Sequence, residues 1–408
     1  MSNPSPSYKI STTEFTILIA LLMSIIAISI DALLPALGMI RQDLNITDPN
    51  KAQLIISAIF LGMAIGQLIC GPLSDATGRK KVLYFGISLF LIGSLVCFFA
   101  KDLNTMLIGR FIQGLGVSGP YVTAISVVRD QFSGRQMAKI MSIVMLIFMG
   151  VPAIAPSLGQ AILLLADWQS IFLFYVGYAI LITSWIFLRL EETLPKEKRI
   201  AFSVSSFAAG FKEVLTNRVT IGYTLCMGLI FGSLIGYLNS SQQIFQVQFN
   251  TGKMFTIYFG LLALVFGASS LTNSFVVEKF GMHRICYLAV KTMIATSAIF
   301  LMLHAVTPIS LWMFLIFAGL IFFCFGFLFG NMNAIAMEPM GHVAGIASAI
   351  IGSCSSFISL ILGTSIGQAY NNTLIPVTCG FLIMSSLAYF TMWLADKKND
   401  SAISQVSN

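Results

Sequence analysis

Twelve apolar runs, each separated from the next by polar or charged residues, fall near 14–40, 52–74, 82–100, 104–128, 138–163, 168–189, 219–240, 254–277, 285–305, 309–337, 342–368 and 373–395. Each is about as long as the roughly 20 residues an α-helix needs to cross hydrocarbon. None has the short alternating segments of a transmembrane barrel. The pattern predicts an all-α membrane protein with twelve transmembrane helices, numbered here as spans 1 to 12 in chain order. One connection is long, at residues 190–218, and carries Glu191, Glu192, Lys196, Glu197, Lys198, Arg199, Lys212, Glu213 and Arg218. It divides the chain into six spans and six. The expected organisation is an N-terminal six-helix bundle at 1–189, a cytoplasmic linker at 190–218 and a C-terminal six-helix bundle at 219–408.

Composition sharpens this picture. Of 408 residues, 57% are hydrophobic and 10% charged, so about 230 apolar side chains are present, which is what twelve spans consume. A soluble enzyme and a disulfide scaffold are excluded. The seven cysteines, Cys70, Cys97, Cys226, Cys286, Cys324, Cys354 and Cys379, are scattered through the apolar runs without a C-x-x-C pair and read as small core residues. The first 13 residues are polar with one lysine, and no small-residue cleavage site follows. That beginning reads as a retained first helix, not a removed signal peptide.

The net charge of +7 has its origin in topology, not in nucleic acid, which is not an expected partner. With the amino terminus inside, 17 of the 23 Lys and Arg residues fall in cytoplasmic segments. Four, Arg41, Lys51, Lys101 and Lys253, fall outside, and Arg110 and Lys291 lie within spans. Positive residues are retained on the cytoplasmic side, so both termini are expected there.

The two halves echo each other. Asp75-Ala-Thr-Gly78-Arg79-Lys80-Lys81 after span 2 recurs as Glu278-Lys-Phe-Gly281-Met-His-Arg284 after span 8, at an offset of 203 residues, half the chain length. The matching positions make duplication the better reading, and paired six-helix repeats around a midplane site are an architecture of secondary transporters. Glycine suits the tight turn, where φ can be positive. The stretch from Gly71 through Asp75, Gly78 and Arg79 resembles the loop 2–3 signature of the major facilitator superfamily almost position for position. The resemblance implies a conformational latch in which Asp75 pairs with Arg129 at the end of span 4 and caps the helix beginning near Gly341. Glu278, Gly281 and Arg284 form its counterpart in the second half.

Besides Lys291, two ionisable residues lie deep inside apolar runs, Arg110 and Asp31. Arg110 in span 4 is costly in hydrocarbon unless paired or wetted. Gln113 follows one turn along the same face, and Gly114 and Gly116 permit close helix approach. The group resembles the R-x-x-Q-G motif of proton-coupled members of that superfamily. Asp31 in Ser-Ile-Asp31-Ala-Leu-Leu-Pro35 lies about 25 Å along span 1, at a depth similar to Arg110, so a pair between them is possible. It is read either as a proton-coupling site or as a structural bridge that never titrates. Its D-x-x-L-P setting resembles span 1 of the bicyclomycin/chloramphenicol resistance branch of drug/proton antiporters. Trp168-Gln-Ser-Ile-Phe172 and Glu338-Pro339 with Gly345 also resemble that branch.

Span 5 contains Gly150-Val-Pro152-Ala-Ile-Ala-Pro156-Ser-Leu-Gly159-Gln160. Prolines four residues apart free backbone carbonyls and bend a helix. The stretch resembles the antiporter motif of drug exporters but has Ala155 before Pro156 and Gln160 after Gly159. Candidate substrate contacts are Gln113, Tyr121, Tyr237, Asn239, Gln242, Asn331 and Asn333. Lys291 is expected to snorkel inward. His283, His304 and His342 lie far apart in sequence, so no metal is expected.

No P-loop is present, which argues against ATP as the driving force, and no His/Asp/Glu cluster marks an embedded hydrolase. The resemblance implies an export protein of the bacterial inner membrane that exchanges small amphipathic compounds for protons. It would act as a monomer, without a cofactor, with the proton gradient as its energy source. A proton-coupled importer and a dedicated exporter of one metabolite, such as a siderophore, share the same fold signals. A membrane-embedded enzyme is the alternative of a different class.

Overall fold

Hydrocarbon leaves no water for backbone N–H and C=O groups, so long uninterrupted helices are the expected solution. The computed structural model describes residues 10–199 and 204–397, and no strand occurs among them. In the first half the spans are Thr12–Asp31, Leu54–Thr77, Arg79–Phe98, Leu103–Gln131, Gly134–Leu163 and Gln169–Arg189. In the second they are Arg218–Gln242, Phe255–Phe280, Met282–Val306, Leu311–Met337, Ala344–Gln368 and Ile375–Asp396. By length and composition alone eleven helices qualify as membrane-crossing, because spans 10 and 11 run together over Leu311–Gln368. They are separated by a turn at Glu338–Val343, where Met340 leaves helical geometry at φ −104° and ψ 17°. The chain is thus a multi-pass membrane protein of two six-helix bundles. Its outward surface carries large apolar side chains such as Phe187, Leu188, Phe275 and Val306, which a bilayer would cover.

Two local features depart from the expected elements. The run at 14–40 is not one helix: span 1 ends at Asp31 and resumes as a short helix at Leu37–Asp43. Pro35 explains the break, since it has no N–H for the carbonyl four residues earlier, which is that of Asp31, and its ring crowds that oxygen. The long connection contains a helix of its own, Val204–Thr216, which rests on the start of span 11, where Gly210 faces Ile346, and buries Val214. Glu213 and His342 Nε2 also meet, at 2.7 Å. Span 5, by contrast, runs unbroken through Pro152 and Pro156.

The halves meet along spans 2 and 11, spans 5 and 8, and spans 2 and 7, with the turn Leu34–Ala36 after span 1 also touching span 7. Loops 2–3, 4–5, 8–9 and 10–11, with the linker, form one end of the bundle, called the basic end below. Loops 1–2, 7–8 and 11–12 form the far end. Close approach within the first half rests on small residues. A Cβ at Gly62 would strike the carbonyl oxygen of Phe111, and one at Gly114 would strike that of Ile59, so spans 2 and 4 touch backbone to backbone. This packing brings Arg110 against the first two spans. The chain termini, whose side of the membrane is read from charge, lie outside the described residues.

Candidate functional site

Arg110 is fully buried, and its guanidinium is occupied by oxygen acceptors. Nη1 donates to the carbonyl of Ser29 at 2.9 Å and to Oε1 of Gln113 at 2.8 Å, and Nε donates to the carbonyl of Ile55 at 3.1 Å. Gln113 is steadied in turn by donating to Ser94 Oγ at 2.8 Å. The Tyr175 hydroxyl of span 6 also donates to the Ser29 carbonyl, at 3.3 Å. Nη2 of Arg110 has no partner among the described residues. Asp31 is 5% exposed and has neither a hydrogen bond nor an ion pair among the described residues. The expected Asp31–Arg110 bond is therefore not made in this conformation. The guanidinium is turned instead toward two main-chain carbonyls and an amide oxygen, and its free Nη2 does not reach the carboxylate. Asp31 instead lies within electrostatic range of Tyr175 from its own half and Tyr237 from the other.

The other candidate contact residues are dispersed. Tyr237 is fully buried between Phe259 and Phe322, with ring centroids 6.1 and 5.1 Å away, and its hydroxyl has no partner among the described residues. Tyr121 is half-buried and Asn333 exposed. Asn331 exchanges hydrogen bonds with Asn273 of span 8 at 2.8 and 3.3 Å, which makes it a helix-to-helix tie. Asn239 and Gln242 lie toward the far end, where Asn239 donates to Ser57 Oγ at 3.1 Å and Gln242 to Gln246 at 2.9 Å. In span 5, a Cβ at Gly159 would strike the carbonyl oxygen of Ala32, beside the break in span 1, and Ala153 faces Gly260 of span 8. Gly150 has open space around it. Trp168 is buried and donates to Asp43 at 2.7 Å, tying the opening of span 6 to the end of the short helix Leu37–Asp43. Lys291 is exposed, with its ammonium 5.6 Å from the Tyr389 ring.

At the basic end, Gly78 has φ +104°, and Arg79 directly after it is the hub. Its side chain is 4% exposed and bonds Asp75 at 2.5 Å and Asp130 at 2.7 Å. The expected Asp75–Arg129 pair is replaced by this bridge: span 4 contributes Asp130, while Arg129 is exposed. Alternate directions along a helix explain the swap, since neighbouring residues point about 100° apart and only one can face Arg79. Glu192 completes the corner by accepting from the backbone N–H groups of Arg79 at 3.0 Å and Lys80 at 3.1 Å, where a carboxylate complements a helix start. Gly71 faces Ala349 of span 11, and Asp75 Oδ2 lies 3.7 Å from where a Cβ on Gly345 would be. Asp75 and Gly71 thus lie beside the N-terminal part of span 11.

The second copy of the motif is built differently. Gly281 has φ +74°, yet Glu278 and Arg284 are both exposed, and Arg284 sits over the Phe280 ring at 5.6 Å. The polar cluster here is His283 with Asp396 at 3.3 Å. Tyr223 donates to Asp396 at 3.0 Å and Tyr287 donates to it at 3.1 Å. Sequence reasoning missed Tyr175, Asp130, Glu192 and this cluster. Asp130, directly after Arg129 at a helix end, was the one with a readable signal.

The sequence profile of the Major Facilitator Superfamily matches residues 17–364. An uncharacterised MFS-type transporter, YdgK, of Bacillus subtilis is 33% identical over 387 residues, covering 91% of this chain and 94% of the relative. The Multidrug resistance protein MdtL of Klebsiella pneumoniae is 30% identical over 365 residues, with 87% and 90% covered. A Bicyclomycin resistance protein homolog of Haemophilus influenzae is 27% identical over 386 residues, with 93% and 96% covered. Among solved structures, the xylose transporter XylE from E. coli in a partially occluded inward-open conformation matches with TM-score 0.73 at 13% identity. That match covers 94% of this chain and 97% of the transporter.

Proposed function

The chain belongs to the Major Facilitator Superfamily and is a transport protein, not an enzyme, and from that premise we propose proton-coupled efflux of small amphipathic compounds. The protein works as a monomer in the bacterial inner membrane. Its basic end and both termini are cytoplasmic, and it needs no cofactor beyond the proton gradient. The observation that carries the reading is Asp31. A buried carboxylate without a partner needs either a proton or a donor from a ligand, and this one sits at the helix break that ends span 1. Substrate and proton then compete for one group, so neither crosses in the same direction as the other. Because Arg110 is held by Ser29, Ile55 and Gln113, the proton's role is not to break an arginine bond. Arg110 fixes the break in span 1, and thereby the position of Asp31. Asp31 and Arg110 form the coupling pair in this indirect sense, and a carboxylate whose proton affinity differs between two states suffices for exchange. The resistance proteins among the relatives support export as the direction.

Everted membrane vesicles energised to an acidic interior test the reading. Chloramphenicol-like, bicyclomycin-like and cationic compounds are added to wild type and Asp31→Asn, and proton release is followed with a pH-sensitive dye. Wild type responds to at least one class and Asp31→Asn to none. No response from wild type to any compound would remove the multidrug reading and favour a dedicated metabolite exporter or an importer.

A further inference from the structure

At the far end, among the described residues, seven hydrogen bonds cross between the halves, and every side chain that makes them is uncharged. Asn50 Nδ2 donates to the carbonyls of Gln368 at 3.0 Å and Tyr370 at 2.8 Å, and Gln368 Nε2 returns a bond to the Asn50 carbonyl at 2.8 Å. Gln53 donates to Gln243 at 2.5 Å, and Gln243 donates to Asn50 Oδ1 at 3.0 Å. One layer deeper, Asn239 and Thr364 of the second half both donate to Ser57 Oγ, at 3.1 and 2.9 Å. Gln53 and Gln243 are 2% and 7% exposed. The backbone is adapted to this meeting. Gln243 opens a six-residue π-helical segment, Gln243–Gln248, that extends span 7, and such segments recur at functional positions in helices. Gly367 leaves no room for a Cβ beside the Gln53 amide.

From this arrangement we infer that Asn50, Gln53, Gln243 and Gln368 are the outer gate of the transport cycle, a carboxamide lock whose closure does not depend on external pH or ionic strength. The inference rests on the alternating-access reading above and on its assignment of the far end to the outside. Charged and titratable groups surround the gate without bonding across it. Asp48 accepts from its own neighbour, the Asn50 N–H, at 2.9 Å. Arg41, Asp43 and Lys51 lie on the first half's rim, and Lys253 lines a cavity of about 280 Å³ with Gln42, Gln160 and Gln246. Tyr370 donates to Gln248 within its own half at 3.1 Å. Asp31 lies below. Amide bonds keep their strength in salt, whereas exposed ion pairs are screened. The gate can thus open and close identically whatever the medium outside, and energy coupling is left to Asp31.

A thiol placed beneath the gate tests this. Phe60 of span 2 meets Phe231 of span 7 edge-on at 6.1 Å between ring centroids, just inside the amide layer. Phe60→Cys is labelled with a membrane-impermeant maleimide in right-side-out vesicles, without substrate or gradient, in an Asp31→Asn background so that the coupling carboxylate does not titrate. The chain without the reporter is the blank, and Met39→Cys, exposed at the same end, normalises the thiol chemistry. Labelling of the parent stays within about twofold from pH 5.5 to 8.5 and from 0.05 to 1 M salt, because no charged side chain bonds across the gate. Gln53→Leu and Gln243→Leu each raise it by about tenfold through lost bonds and stranded amides. Gln53→Glu raises labelling at high pH and returns it toward the parent value at low pH, which also shows that the variant is folded. Parent labelling that follows salt or pH, or leucine variants that label like the parent, overturns the gate. Increased labelling only in inside-out vesicles instead overturns the assignment of the far end. Failure of the efflux reading alone leaves all these rates unchanged, because no substrate is present.

Discussion

The turn after span 2 and the turn after span 8 share a backbone and differ in chemistry. Gly78 sits at φ +104° and ψ 155°, Gly281 at φ +74° and ψ 153°, a region that side chains with a Cβ rarely enter. Around Gly78 the packing is tight and ionic: a Cβ there would lie 2.7 Å from Glu192 and 2.8 Å from Arg199. Around Gly281 a Cβ would meet nothing within 4 Å. Met282 stands where the first copy has Arg79, so the second corner has no hub for two carboxylates and relies on His283, Tyr223, Tyr287 and Asp396. What duplication kept is the conformation that the chain reversal demands. What it released is the charge set, because the first turn reaches across to span 11 while the second ties spans 7, 9 and 12 within its own half.

Removing each hub should expose that asymmetry most strongly. Arg79→Gln leaves Asp75 and Asp130 without their shared cation. Because the arginine is buried but Asp75 is about one-third exposed, the loss of stability is about 2–3 kcal/mol, at the lower edge of that for a broken buried pair. Transport falls by about tenfold or more as the latch fails, by the same conversion of free energy into rate. In His283→Gln the carboxylate keeps two tyrosine donors and the lost side chain was 44% exposed, so the cost stays below about 1 kcal/mol. Thermal unfolding of the purified proteins in detergent and uptake in everted vesicles measure both. Equal losses would mean that the second corner is a latch too.

Adding a Cβ at each glycine isolates conformation from packing. Gly281→Ala carries only the backbone strain, about 1–2 kcal/mol. Gly78→Ala carries that strain and also pushes Glu192 away from the start of span 3, for about 1 kcal/mol more. A melting temperature that drops equally in the two variants would show that Glu192 contributes nothing to the corner.

The twelve spans were legible because hydropathy alone decides where a chain can cross a bilayer, and the residues of the loop 2–3 motif were legible because charge and glycine at fixed spacing are local features. Partners were not legible. A helix that is apolar all round carries no periodic signal for its rotation, so nothing along the chain said that Arg110 faces the Ser29 and Ile55 carbonyls instead of Asp31. The break at Asp31 could have been read from Pro35, four residues later. The carboxamides at the far end escaped notice for a different reason: Asn50, Gln53, Gln243 and Gln368 are polar residues at the ends of three apolar runs far apart in sequence, and only the fold gathers them. The linker helix was hidden by its charges, although Val214 and Gly210 mark the face it buries.

The smallest effect discriminates between two neighbours on span 4. Asp130 bonds Arg79 through both carboxylate oxygens, at 2.7 and 3.3 Å, and also accepts from Thr193 at 3.2 Å, so Asp130→Asn weakens a charge-assisted pair by about 1 kcal/mol. Arg129 points away, and Arg129→Gln should fall within about 0.5 kcal/mol of wild type, as substitutions on exposed surface do. Unfolding in detergent reads the state described here, whereas transport samples the whole cycle. If Arg129→Gln leaves stability untouched but slows transport more than Asp130→Asn does, then Asp75 exchanges Arg79 for Arg129 in the opposite state. The first corner would then be a two-position switch, and its contrast with the fixed cluster around Asp396 would become one of motion as well as charge.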